Sequence, residues 1–116
     1  MSENDCIFCK IILGTIPSEK VYEDELCLAF NDITPQAPHH ILLIPKQHLD
    51  SLDSADKPHR DLLGHLLLTA GGIAREKGFG DNGYRVVINT NSDGGQTVFH
   101  LHVHLLAGRQ FIFPPG

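Results

Sequence analysis

The sequence predicts an α+β fold in which one long helix packs on a largely antiparallel sheet of about five strands. Three observations predict it. Short apolar and β-branched runs alternate with turn signals on both sides of a single helical segment. That segment, about Lys57 to Lys77, repeats Leu62, Leu63, Leu66, Leu67, Ala70, Ile73 and Ala74 at helical spacing. The closing run His100-Leu101-His102-Val103-His104-Leu105 alternates polar and apolar residues with the period of a strand.

The elements follow in order. Cys6 to Leu13 reads as a short helix stopped by Gly14, with a turn through Pro17. Val21 to Glu23 and Leu26 to Asn31 read as strands of a hairpin closed at Asp24-Glu25. A proline-rich loop, Thr34 to Pro38, leads into His40 to Pro45, an almost unbroken apolar run of the kind a central strand requires. The long helix carries Gly64, Gly71 and Gly72, each costly inside a helix, and stops at Lys77-Gly78. Tyr84 to Asn89 and Phe99 to Ala107 read as the last two strands, and the tail to Gly116 has no regular pattern. One helix covers one sheet face, so function is sought on the other.

The 116 residues and 12.8 kDa suit a single domain over 1–116. A hydrophobic content of 41% with 20% charged residues argues against disorder. The net charge of −5 opposes a general electrostatic grip on nucleic acid. No apolar run is long enough to span a bilayer. The polar start Met1-Ser2-Glu3-Asn4-Asp5 does not read as a secretory leader, which makes the cytoplasm the expected compartment. Three cysteines, an odd number, argue against a disulfide framework, and Cys27 within Leu26 to Phe30 reads as a buried small hydrophobe.

The closing run carries the chemistry. Strand alternation turns His100, His102 and His104 to one face, with neighbours roughly 6–7 Å apart at a rise of ~3.3 Å per residue. An ordinary solvent-facing row would be served as well by Lys, Glu or Thr. Imidazole is the side chain that can attack, carry a proton near neutrality and bind a metal. Just upstream, Asn89 to Thr97 is longer than a hairpin loop needs, and its Gly94-Gly95-Gln96-Thr97 can bring backbone N–H groups close to an anion. Next to that loop, phosphorus chemistry is favoured over a bare metal centre.

His100-Leu101-His102-Val103-His104-Leu105-Leu106 resembles the histidine triad signature, His-φ-His-φ-His-φ-φ. Ile7-Phe8-Cys9-Lys10-Ile11-Ile12, Ala29-Phe30-Asn31-Asp32-Ile33, Pro35-Gln36-Ala37-Pro38, Ile44-Pro45-Lys46-Gln47-His48, Gly94-Gly95-Gln96 and Pro114-Pro115-Gly116 resemble the Hint (histidine triad nucleotide-binding) branch of that superfamily. The resemblance implies a HIT-like fold whose sheet continues across a homodimer. It implies a hydrolase cleaving the P–N bond of purine nucleoside phosphoramidates, and by extension aminoacyl-adenylates, through a nucleotidyl-histidine that water resolves to AMP or GMP. His102 would be the nucleophile, with His104, His100 and Thr97 completing the catalytic set. Asp32 would hold the ribose hydroxyls and Ile33 the purine, while Asn89, Gly95, Gln96 and Thr97 line the phosphate site. The tail would reach toward the partner's site. Thr97 stands where relatives usually have Ser, and Asn31 where many have His or Arg. No cofactor is required for this catalysis, and neither nucleic acid nor membrane is an expected partner. Other readings are a nucleotide-binding interaction module with little catalysis, a dinucleoside polyphosphate hydrolase and a metal-dependent hydrolase.

Cys6-Ile7-Phe8-Cys9 reads either as two zinc ligands or as two reduced cysteines, one of them packing as an apolar residue on a helix face. The resemblance offers His48 and His100 as the remaining ligands of a structural zinc. His39, His40, His59 and His65 read as surface or satisfied positions, and Lys46 and Arg109 as solvated or dimer-contacting.

Overall fold

The computed structural model describes residues 5–116; the segment Met1 to Asn4, read above as no leader, lies outside the described residues. Five strands form one sheet: β1 (Lys20–Glu23), β2 (Cys27–Asn31), β3 (His39–Pro45), β4 (Arg85–Val87) and β5 (Val103–Ala107). Their order is β1-β2-β3-β5-β4, antiparallel at every junction. The helices are α1 (Ile7–Leu13) and α2 (Arg60–Glu76), and no helix among the described residues is long and apolar enough to cross a membrane.

Local chemistry sets the helix ends. The Cys6 side chain caps α1 by accepting from the Cys9 backbone N–H, and Gly14 ends it at φ 82°, where the left-handed conformation needs no Cβ. Asp56 caps a 3-10 turn, Lys57–His59, which includes Pro58, so regular α-helix starts at Arg60 rather than at the expected Lys57. On α2 the buried positions are Leu66, Ala70, Ile73 and Ala74, a stripe at i, i+4, i+7 and i+8.

Strand parity divides the core into two layers. Cys27, Ala29, Ile41, Leu43, Val103 and Leu105 meet the α2 stripe on one face. Leu28, Phe30, Leu42 and Ile44 meet Cys6, Phe8 and Ile11 of the α1 segment on the other. β2 and β3 are thus buried on both faces, which explains their continuous apolar sequence. The second face is therefore not bare, as one-helix reasoning expects; α1 covers part of it.

Two strands are shorter than their sequence patterns. β4 ends at Val87 instead of Asn89, and β5 starts at Val103 instead of Phe99. The last β3–β5 pair is Leu43 with Val103, and two residues further along β3 stands Pro45, which has no N–H to extend the ladder. Leu101 donates instead to Leu49 O at 2.7 Å. The alternation survives the end of the ladder, because Leu101 still joins the α2 layer while His100 and His102 pack against Phe8 on the other.

Leu43 is fully buried at the middle of the sheet, so Leu43→Ala should destabilise the fold by about 2–5 kcal/mol, read from urea unfolding midpoints. A loss under about 0.5 kcal/mol would contradict this packing.

Candidate active site

A cleft of about 410 Å³ opens on the α1 side of the sheet. Its apolar wall comes from Ile7, Phe8, Ile11, Phe30 and Ile33, and its polar lining includes Asp32, Thr97, His102 and His104. Ile33 is 95% exposed at the rim, an apolar side chain left uncovered. A second cleft, of about 490 Å³ near His39, Phe79 and Arg109, shares no residue with the first.

Hydrogen bonds assign the ring protons. The Nδ1 of His102 lies 2.8 Å from His100 O, an acceptor only, so Nδ1 carries the proton and Nε2 the lone pair. The backbone N–H of Gln36 donates to His40 Nδ1 at 3.0 Å, which leaves the His40 proton on Nε2. That Nε2–H donates to His104 Nδ1 at 2.9 Å. His104 must then carry its proton on Nε2, a buried atom without a hydrogen-bond partner among the described residues. Both rings line the cleft, His102 with an unprotonated Nε2 and His104 with a buried, unpartnered Nε2–H. The two rings meet edge to face with centroids 4.9 Å apart, closer than ideal strand spacing suggests.

Burial keeps these rings neutral. It pushes His104 down to about 4, helped by neighbouring His102 and His40 and opposed by the Asp32 charge. It lowers His102 and His40 from 6.5 as well. Asp32 lies with Oδ2 3.5 Å from His40 Nε2, while its Oδ1 accepts from Thr34 N and Oγ1.

A second cluster stands beside the cleft. His100 Nδ1 is 3.3 Å from Cys6 Sγ and 3.5 Å from Cys9 Sγ, and His48 Nδ1 is 3.2 Å from Cys9 Sγ. Both rings are turned by their far nitrogens: His100 Nε2 donates to Pro45 O at 2.8 Å, and His48 Nε2 pairs with Asp50 at 2.8 Å. The Nδ1 lone pairs therefore face the sulfurs. Two sulfurs and two imidazole nitrogens, all within 4.8 Å of one another, are a donor set that suits tetrahedral zinc.

The site residues expected from sequence divide accordingly. Thr97, Asp32, Ile33, His102 and His104 line the cleft, whereas His100 turns its ring to the cysteines and offers His102 its carbonyl. Asn89, Gly95 and Gln96 are not among the lining residues. Gln96 uses its amide to pin the loop, accepting from Asn91 N at 2.9 Å and donating to Asp50 O at 2.7 Å. Gly94 is required there, since a Cβ would lie 2.4 Å from Thr90 O. Asn31 donates to Glu19 at 2.8 Å on the cleft wall.

Sequence places His40 at a surface or satisfied position; it is satisfied, but beside the cleft. The signal was its parity, because His40 shares a face with Leu42 and Ile44, and Leu42 pairs with His104. Register was needed to see it. His39 against Phe79, His59 in its capping box and His65 on Asp24 match their plainer readings, and Lys46 pairs with Glu23.

The family model for the HIT domain matches residues 14–111. An uncharacterized HIT-like protein of Synechococcus elongatus is 60% identical over 116 residues, covering 100% of both chains. A 14 kDa zinc-binding protein of Brassica juncea is 54% identical over 114 residues, covering 97% of this chain and 100% of that one. The crystal structure of a HIT family hydrolase from Legionella pneumophila superposes with a TM-score of 0.95 at 48% identity, covering 97% of this chain and 100% of the other.

His104 titrates near 6.5 when unfolded and about 4 when folded, so the unfolded chain binds the proton first as pH falls. Its contribution to stability should be intact above about 6.5 and be lost progressively toward pH 4. Ring ¹⁵N shifts should report a neutral His104 in the folded protein at about pH 6, and a charged ring there would contradict the burial argument.

Proposed function

The chain belongs to the HIT domain family, and from that premise we propose that it is a purine nucleotide hydrolase of the Hint type that cleaves P–N bonds of nucleoside phosphoramidates. One observation carries the reading: the bare Nε2 of His102 and the unpartnered Nε2–H of His104 share one cleft whose other wall is apolar. The hydrolase title of the Legionella neighbour points the same way.

We assign the roles as follows. The purine lies against Ile7, Phe8 and Ile33, and the Asp32 carboxylate accepts from the ribose hydroxyls. His102 Nε2 attacks phosphorus, the P–N bond breaks, and the amine leaves with a proton. The His104 Nε2–H, held in that tautomer by His40, donates a hydrogen bond to the charge developing on the phosphoryl group and leaving nitrogen, and the departing amine takes its proton from solvent. Water then attacks the nucleotidyl-histidine, releases the nucleoside monophosphate and returns the proton. Aminoacyl-adenylates present the same adenylyl group. Thr97 adds a hydroxyl at the phosphate end, and its branched methyl narrows the room for the leaving group.

Cys6, Cys9, His48 and His100 would hold a structural zinc, in keeping with the name of the Brassica relative. Zinc would supply a rigid tie between the start of α1 and the sheet. As in the family resemblance, the working unit is taken to be a homodimer.

His102→Ala should lower turnover of an AMP phosphoramidate by at least about a thousandfold while AMP still binds. Rapid quench of the wild type should reveal a covalent AMP adduct on His102. A variant retaining most activity would sink the assignment. His40→Ala should slow turnover with little change in AMP affinity, because it removes the group that sets the His104 tautomer. Elemental analysis of zinc-replete protein should find about one zinc per chain, and less than about 0.2 would remove the metal from this picture.

A further inference from the structure

We propose that Cys6 and Cys9 are a reversible oxidation site, closed to a disulfide by low-molecular-weight disulfides, and that closing it loosens the nucleotide cleft. The second half rests on the nucleotide reading above. Cys6 is fully buried and Cys9 half-buried, so a reagent meets Cys9 first. The two sulfurs are already neighbours, since both lie within hydrogen-bond reach of one nitrogen, His100 Nδ1. They flank the first turn of α1, where the Cys9 N–H points at Cys6 Sγ at 3.3 Å.

The chemistry balances without a further reagent. The Cys9 sulfur attacks one sulfur of the small disulfide, its S–S bond breaks, and the first thiol leaves with the Cys9 proton. The Cys6 sulfur then attacks the Cys9 sulfur of the mixed disulfide and expels the second thiol with the Cys6 proton. Two electrons pass from the cysteine pair to the reagent. A metal ion held by the cluster loses both sulfur ligands and must leave.

The same atoms support the cleft. An S–S bond of about 2.05 Å draws both sulfurs off the imidazoles that now hold them. α1 has seven residues, of which Phe8 and Ile11 are buried, and its first turn carries both sulfurs. Ile7, Phe8 and Ile11 form a wall of the cleft, and the Phe8 ring stands edge-on to His102 at 5.2 Å and to His100 at 5.9 Å. His100, released from the sulfurs, is the residue whose carbonyl orients His102. Oxidation therefore acts on the base wall and on the nucleophile together.

The test uses the reduced, zinc-replete full chain treated with glutathione disulfide. Intact mass and peptide mapping should show the loss of two hydrogens in a Cys6–Cys9 link, a chromogenic chelator should show zinc release, and AMP affinity by calorimetry should fall about tenfold or more. Dithiothreitol should restore it. Cys27→Ser should form the same link, because Cys27 lies in the opposite core layer, whereas Cys6→Ser should stop at a mixed disulfide on Cys9. No link, or only a stable glutathione adduct on the wild type, overturns the oxidation site. A link with unchanged AMP affinity overturns the coupling. If the reduced protein binds no AMP, the nucleotide reading and the coupling fall together, while the mass measurement still judges the oxidation site.

Discussion

One hydrogen bond constrains the whole candidate site: the Nδ1–H of His102 donating 2.8 Å to the carbonyl of His100. It decides which ring nitrogen keeps its lone pair, and it needs a backbone carbonyl that does not move. The His100 ring provides that anchor by donating to Pro45 O and facing two sulfurs. Pro45 in turn ends the ladder between β3 and β5, leaving residues 100–102 outside the strand pairing. A residue that cannot donate thus creates the local irregularity in which His100 and His102 sit.

A second chain of hydrogen bonds runs from the Gln36 amide through His40 to His104. Its direction is set at the backbone end, since an amide can only donate. Two independent backbone groups, Gln36 N–H and His100 C=O, therefore impose opposite tautomers on adjacent rings. Burial reinforces the arrangement by disfavouring the charged form of each ring.

Much of this was legible in the sequence. Period-two alternation placed the histidines on one face, the apolar run marked β3 as central, and the helical stripe marked α2. Cys6, Cys9, His48 and His100 meet as their resemblance implied. What escaped depended on non-local facts. His40 required the β3–β5 register. The shortened β5 required knowing that Pro45 would stand opposite Leu101, two residues before the strand begins. Gln96 looked like an anion contact because its residue type suits one, yet its amide is taken by Asn91 and Asp50, which only tertiary structure brings near. The cover over the second sheet face required knowing where a seven-residue helix docks.

The division of β2 and β3 by strand parity has a consequence for how such a chain can diversify. Cys27, Ala29, Ile41 and Leu43 answer to the scaffold helix, and Leu28, Phe30, Leu42 and Ile44 to the layer that carries the cleft. Mutational drift can reshape the cleft on one side of the sheet while the opposite side preserves foldability. The sheet acts as a partition that lets innovation and robustness be selected separately within one small polypeptide.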